Sequence, residues 1–157
     1  MAIPQFALAD DDPGFAMSTD LTVGYSKERV SAVLGYDLGY RFNSWLYVGA
    51  GPMVASSFGD GSTIFNAGGY GKIRFTLPLE FTVKPYLDLK GGYSYNFDSK
   101  NGDALFGGGV GVKVNKFVIG FYANMSTYEK PTVNKKGKVG SKTELNFTPC
   151  LQLGLEF

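Results

Sequence analysis

The residues best suited to chemistry in this chain are charged ones separated by even numbers of positions: Asp37 with Arg41, Lys72 with Arg74, Lys84 with Asp88 and Lys90, and Glu144 with Glu156. Two carboxylates such as Asp88 and Glu144 would suit acid–base work on a glycosidic bond, and a lysine beside a serine would suit nucleophilic attack. No spacing singles out either arrangement. Histidine is absent, which removes the commonest general base and any Cys/His zinc set, and the single cysteine, Cys150, cannot form an internal disulfide. The run Gly107 to Val112 (GGGVGV) resembles a phosphate loop only superficially, because it lacks the following Lys-Ser/Thr and a helix. The remaining chemistry for the charges is mutual pairing. Their parity supports that reading, since random placement would put all four sets each on one face roughly once in thirty trials, and a one-residue shift moves a side chain to the opposite face.

Those charges need an extended scaffold, and the chain provides one. From Gly14 onward apolar and polar residues alternate with period two, interrupted by Gly, Asn, Asp, Ser and Pro. The pattern predicts about eight strands, at 14–26, 29–42, 45–57, 63–77, 80–97, 104–115, 117–129 and 142–157. Most are longer than the roughly 5 to 6 residues usual in soluble sheets and long enough to cross a bilayer at a tilt. No apolar run approaches the roughly 18 to 20 residues of a transmembrane helix. Residues 1–13, with Pro4, the acids Asp10 to Asp12 and Pro13, read as an irregular lead-in, and 14–157 as one barrel domain. They lack the basic and apolar segments of a secretion signal, which suggests that one was removed and replaced by Met1.

In the last strand Leu145, Phe147, Pro149, Leu151, Leu153, Leu155 and Phe157 share one face, while Glu144, Asn146, Thr148, Cys150, Gln152, Gly154 and Glu156 share the other. A soluble lipocalin-like barrel would turn the apolar face inward and bind a small apolar ligand. Volume argues against it, because an eight-stranded bore is only just wide enough for side chains and the apolar face offers about thirty large ones. The expected fold is therefore a closed, antiparallel, up-and-down transmembrane β-barrel with its polar face inward. Its lumen would hold Asp20, Asp37, Arg41, Lys72, Arg74, Lys84, Asp88, Lys90, Lys113, Glu144 and Glu156, a nearly balanced set that pairs internally and plugs the bore.

Aromatics fall near both predicted rims, among them Tyr40, Phe42, Trp45, Tyr47, Phe75, Phe81, Phe117 and Phe157 at one and Tyr25, Phe65, Tyr95, Phe97, Phe106 and Tyr128 at the other. The strand at 45–57 is apolar on both faces and its orientation stays open. Connections two, four and six read as tight turns, and three, five and seven as longer loops, while the first, around Ser26 to Arg29, is short and breaks the symmetry. The seventh, 130–141, carries Lys130, Lys135, Lys136 and Lys138, and the last three form a basic patch suited to anionic groups of lipopolysaccharide.

The segments GYRFNSWLYVGAG (Gly39 to Gly51) and PYLDLKGGYSY (Pro85 to Tyr95), and the ending LQLGLEF, resemble small outer-membrane β-barrel proteins of the Bacteroidetes, similar in architecture to the OmpA/OmpX class. The resemblance implies a bacterial outer-membrane location, a lipid environment, and a terminal signal of Leu151, Leu153, Leu155 and Phe157 read by the barrel-insertion machinery. Small-barrel enzymes of that membrane use histidine, so the resemblance together with the missing histidine implies a non-enzymatic protein with no cofactor. The balance of 15 basic and 14 acidic residues leaves no field to recruit nucleic acid, and a monomer is expected.

Overall fold

The computed structural model describes residues 13–157 except 60, 99 and 134–138, with side chains described outside 128–144. Eight strands follow in chain order: β1 (Gly14–Ser26), β2 (Arg29–Asn43), β3 (Leu46–Gly59), β4 (Ser62–Thr76), β5 (Val83–Asn96), β6 (Asn101–Val114), β7 (Phe117–Val133) and β8 (Val139–Glu156). Each pairs antiparallel with its sequence neighbours, and β1 pairs with β8 from Ser18↔Glu156 to Gly24↔Cys150, closing the barrel. Closure leaves no free sheet edge, the condition for backbone to cross hydrocarbon without unpaired N–H or C=O groups.

Strands of 13 to 18 residues exceed the roughly 9 to 11 needed to span a bilayer. Along every strand whose side chains are described, exposed apolar residues alternate with buried or half-buried ones. In β8, Leu145, Phe147, Leu151, Leu153, Leu155 and Phe157 face out, while Cys150, Gln152 and Glu156 face in. The outside thus carries a continuous apolar coat, and the inside carries the charges.

The lower rim, as we name it, holds Gly14, Phe157 and the connections β2–β3, β4–β5 and β6–β7; the upper rim holds the other four. Rim aromatics are outward at both ends, with Phe15 edge-on to Tyr40, Trp45 stacked near Phe75 below, and Phe65 stacked near Phe97 above. Tyr47 is a correction: it is buried inside the lumen rather than placed in the lower girdle. It also settles β3, whose odd residues Tyr47, Gly49, Met53 and Ser57 turn inward and whose even residues Val48, Val54 and neighbours turn out.

The expected contrast between short turns below and long loops above does not hold. The β1–β2 connection is only Lys27 and Glu28, both at positive φ (49° and 63°), the backbone of a type I′ hairpin. The β3–β4 connection is equally short, closing between Gly59 and Ser62 with Gly61 at φ 70°. Below, β4–β5 needs residues 77–82, because Pro78 has no N–H and the chain folds back: Leu79 N donates to the Leu77 carbonyl at 2.8 Å and Leu77 N to the Pro85 carbonyl at 2.9 Å. Leu77, Leu79 and Phe81 stay exposed, which mimics a continuing strand in the sequence.

The seventh connection is shorter than read from sequence. The β7–β8 ladder continues from Phe117↔Leu155 to Val133↔Val139, although the neighbouring ladders end at Leu105↔Ser126 and Gly24↔Cys150. Beyond those points β7 and β8 form a two-stranded ribbon above the barrel. Lys130 and Lys142 face each other in this ladder, so neither belongs to a loop. A ribbon that rises past the barrel encloses no lumen, so its sequence lacks the inward–outward alternation that marks the other strands.

Candidate functional site

The lower and middle lumen is filled by one connected cluster. Arg74 is fully buried and grips Asp88 with two hydrogen bonds, Nε to Oδ1 and Nη2 to Oδ2, each 2.6 Å, while Nη1 donates to Glu156 Oε2 at 2.7 Å. Glu156 also receives Lys113 Nζ at 2.8 Å and Arg41 Nη2. Lys72, equally buried, reaches Asp20 Oδ2 at 2.9 Å, Asp37 Oδ2 at 2.8 Å and Ser18 Oγ at 2.6 Å. The hydroxyls of Tyr47 and Tyr70 donate to Asp37 at 2.5 and 2.8 Å. Gln152 bridges Asp20 and Asp88 through Nε2 and accepts from the Tyr86 hydroxyl at 3.1 Å.

Every oxygen of Asp20, Asp37, Asp88 and Glu156 therefore has at least one partner. That completeness decides the energetics, because buried ions repay their lost hydration only when lone pairs and protons are satisfied. The cations are also clamped from the side by rings: Arg74 over Tyr86 at 4.7 Å and Lys72 over Tyr47 at 5.3 Å.

Of the charges expected in the lumen, Asp37, Arg41, Lys72, Arg74, Asp88, Lys90, Lys113 and Glu156 meet in this cluster, and Lys84 is half-buried near the lower rim opposite Lys113. Glu144 pairs with Tyr128 in the β7–β8 ladder, and its side chain lies outside the described residues, as do Lys135, Lys136 and Lys138. Asp20 takes a central place, touching Lys72, Arg74 and Lys90, which its solitary charge in β1 did not announce. Gln152 lies inward as its polar face predicted, while Tyr47, Tyr70 and Tyr122 are further interior residues whose type gives no warning. A Tyr on a strand suits lipid or lumen equally, and only the register against charged neighbours, such as Tyr47 opposite Arg41 and Arg74, separates the two.

Of the two enzyme-like arrangements, the lysine beside a serine has a defined geometry, and Asp88 is defined as one half of the carboxylate pair. Ser18 does lie beside a lysine, but Lys72 simultaneously serves two carboxylates and both residues are buried, so the amine acts as a charged donor. Both oxygens of Asp88 are engaged by Arg74. Cys150 is buried on the lumen side, with Asn124 Nδ2 3.3 Å from its sulfur. Leu151, Leu153, Leu155 and Phe157 all lie on the outer face.

Above the cluster the lumen opens into a cup of about 160 Å³. Its floor is Asp20, Tyr70, Lys90 and Tyr122, and its wall mixes short polar residues, Thr22, Ser31, Ser57, Ser94, Asn124, Ser126 and Thr148, with the apolar Val33, Met53, Ala55, Leu105 and Phe106. Lys90 sits between two rings, 5.5 Å from Tyr70 and 4.9 Å from Tyr122, and contacts Asp20 at 3.1 Å. Glycine makes room for these rings: a Cβ on Gly35 would meet the Tyr70 hydroxyl at 2.6 Å, and one on Gly107 would meet the Tyr122 ring.

No family model and no curated protein matches the chain. Among solved structures it is similar to one described as "De novo design of transmembrane beta-barrels", at 17% identity and a TM-score of 0.53, covering 95% of this chain and 100% of that one. At that identity the likeness concerns the fold. The chain is a closed eight-stranded, all-antiparallel, up-and-down β-barrel, and its neighbour is a transmembrane barrel.

Proposed function

We propose that the chain is a non-enzymatic component of a bacterial outer membrane, its barrel a membrane anchor and its upper rim the surface offered to partners. The observation that carries this reading is the inverted polarity: an all-round coat of exposed Phe, Leu, Val, Ile and Tyr encloses fully buried Arg, Lys, Asp and Glu. A water-soluble barrel arranged in this way would expose far more contiguous apolar surface than soluble monomers tolerate. Two levels of outward aromatics and a cap-free apolar band between them suit the two interfaces of a bilayer.

The resemblance of the Gly39–Gly51, Pro85–Tyr95 and terminal segments to Bacteroidetes barrels supports the outer membrane as location. It also makes the insertion machinery the partner for Leu151, Leu153, Leu155 and Phe157. The basic patch of Lys135, Lys136 and Lys138 makes lipopolysaccharide a surface partner. The lipocalin-like alternative has no support, since it needs an apolar interior and this one is charged.

The test is biochemical. Purified protein should stay monodisperse only in detergent or lipid and should change gel mobility on boiling, as closed barrels do. Monodisperse protein in plain buffer overturns the proposal.

A further inference from the structure

We propose that the cup above the charge cluster is a binding site for a small monovalent oxyanion, a carboxylate or its chemical equivalent, held by Lys90 and Tyr122. Three independent observations converge there. The first is space: about 160 Å³ is an order of magnitude above the roughly 10–15 Å³ that one water needs, so a molecule of several heavy atoms fits.

The second is an unmet hydrogen bond. Tyr122 is 3% exposed and lines the cup, yet its hydroxyl has no hydrogen-bond partner among the described residues. Nearby Asn66 and Asn146, which also line the cup, carry amide oxygens without partners among the described residues. Buried polar groups are nearly always satisfied, and a set of orphans facing one cavity marks the place where a bound molecule or water completes the bonding.

The third is charge. The cluster holds five cations, Arg41, Lys72, Arg74, Lys90 and Lys113, against four carboxylates, Asp20, Asp37, Asp88 and Glu156, a surplus of one positive charge within this set. Asp20 is shared, because Lys72 and Lys90 both rest on its Oδ2. Lys90 is the cation of the cluster that reaches water most, with 15% of its side chain exposed against at most 6% for Arg41, Lys72, Arg74 and Lys113. The surplus is therefore presented at the floor of the cup. Asp103, on the inward parity of β6 opposite Ser94, stands nearer the mouth and disfavours a second negative charge on the ligand. A carboxylate on Lys90 Nζ would also accept from the Tyr122 hydroxyl, and the asparagine amides and serine hydroxyls suit polar groups on its body.

Trifluoroacetate is a suitable probe, followed by 19F NMR in a non-ionic detergent with empty micelles as the blank. Wild type should give a saturable shift. Lys90→Met should abolish saturation, Tyr122→Phe should weaken binding about tenfold, as expected for one hydrogen bond to a charged group, and Lys116→Gln at the lower rim should bind like wild type. Boiling-dependent gel mobility identifies the variants that have folded, and the conservative Tyr122→Phe change decides the matter if Lys90→Met has not. A linear, unsaturable shift in wild type overturns the proposal. So does a folded Lys90→Met or Tyr122→Phe protein that binds as wild type does.

Discussion

Toward the lower rim the bore is crossed by Arg74, Lys72, Arg41, Lys113, Tyr47, Tyr86 and Gln152; toward the upper rim it is lined by Ser31, Ser57, Ser94, Ser126, Thr22 and Thr148. Both halves obey the same polar-inward alternation. They differ in reach. A guanidinium on a long stem spans from β4 to Asp88 on β5 and Glu156 on β8, whereas a hydroxymethyl group stays at the wall. The same backbone geometry is thus a plug where side chains are long and a receptacle where they are short. Stability should concentrate in the plug, and tolerance to substitution in the cup.

The largest effect should come from breaking the plug. Arg74→Met strips Asp88 of its bidentate partner and should cost about 3–5 kcal/mol in reversible urea unfolding from lipid vesicles. Adding Asp88→Asn should recover part of that loss. A cost under about 1 kcal/mol, in the range of an exposed pair, would show that water reaches the cluster.

The outer surface should rank next. Leu153→Arg puts a charge among the outward apolar side chains and, with that face in lipid near the bilayer midplane as proposed, should cost about 2–4 kcal/mol in the same assay. An unperturbed Leu153→Arg protein would place that surface in water.

Crowding at the boundary between the halves comes third. Gly35→Val would press on the Tyr70 ring, and overpacking of this kind costs about 1–3 kcal/mol. Because Tyr70 also hydrogen-bonds Asp37, the variant should weaken the trifluoroacetate signal as well.

The smallest change belongs to the cup wall, where Ser126→Ala should stay within about 0.5 kcal/mol of wild type by urea midpoint. In planar bilayers neither wild type nor Ser126→Ala should show a large steady conductance, because the plug below the cup remains closed. Porin-sized steps from either protein would separate the cup from the plug as barriers.

The strands were legible because a closed wall with an apolar outside and a polar inside imposes a strict two-residue period: β1 is found as read, and β2, β3 and β4 within one or two residues at each end. The plug was legible because charge is scarce and parity-locked, so Lys72 with Arg74 and Lys84 with Asp88 and Lys90 announced their face. The partners were hidden, because pairing depends on stagger. Only the register that sets Arg74 opposite Asp88 brings them together, and Glu156 joins through the closing β1–β8 ladder. The cup was illegible for a different reason. Serine, threonine and asparagine on an inward face look the same whether their neighbours fill the space or leave it, and emptiness is a property of volume across strands. Of the upper hairpins, the short β1–β2 turn at Lys27 and Glu28 was legible, whereas β3–β4 closes between Gly59 and Ser62, tighter than the 58–62 loop its Gly- and Ser-rich sequence suggested.

The β1–β8 seam has a consequence for the order of assembly. Glu156, the carboxylate that receives Arg41 from β2, Arg74 from β4 and Lys113 from β6, arrives with the last strand of the chain. Until β8 docks, three cations on three different strands lack their common counter-ion and must keep their water. The seam also joins the most distant parts of the sequence, the kind of contact that forms slowly because a long loop must close first. Closing the cylinder and drying its interior are therefore one late step, and a chain halted before β8 would be a hydrated, open curl with unpaired edges rather than a smaller barrel.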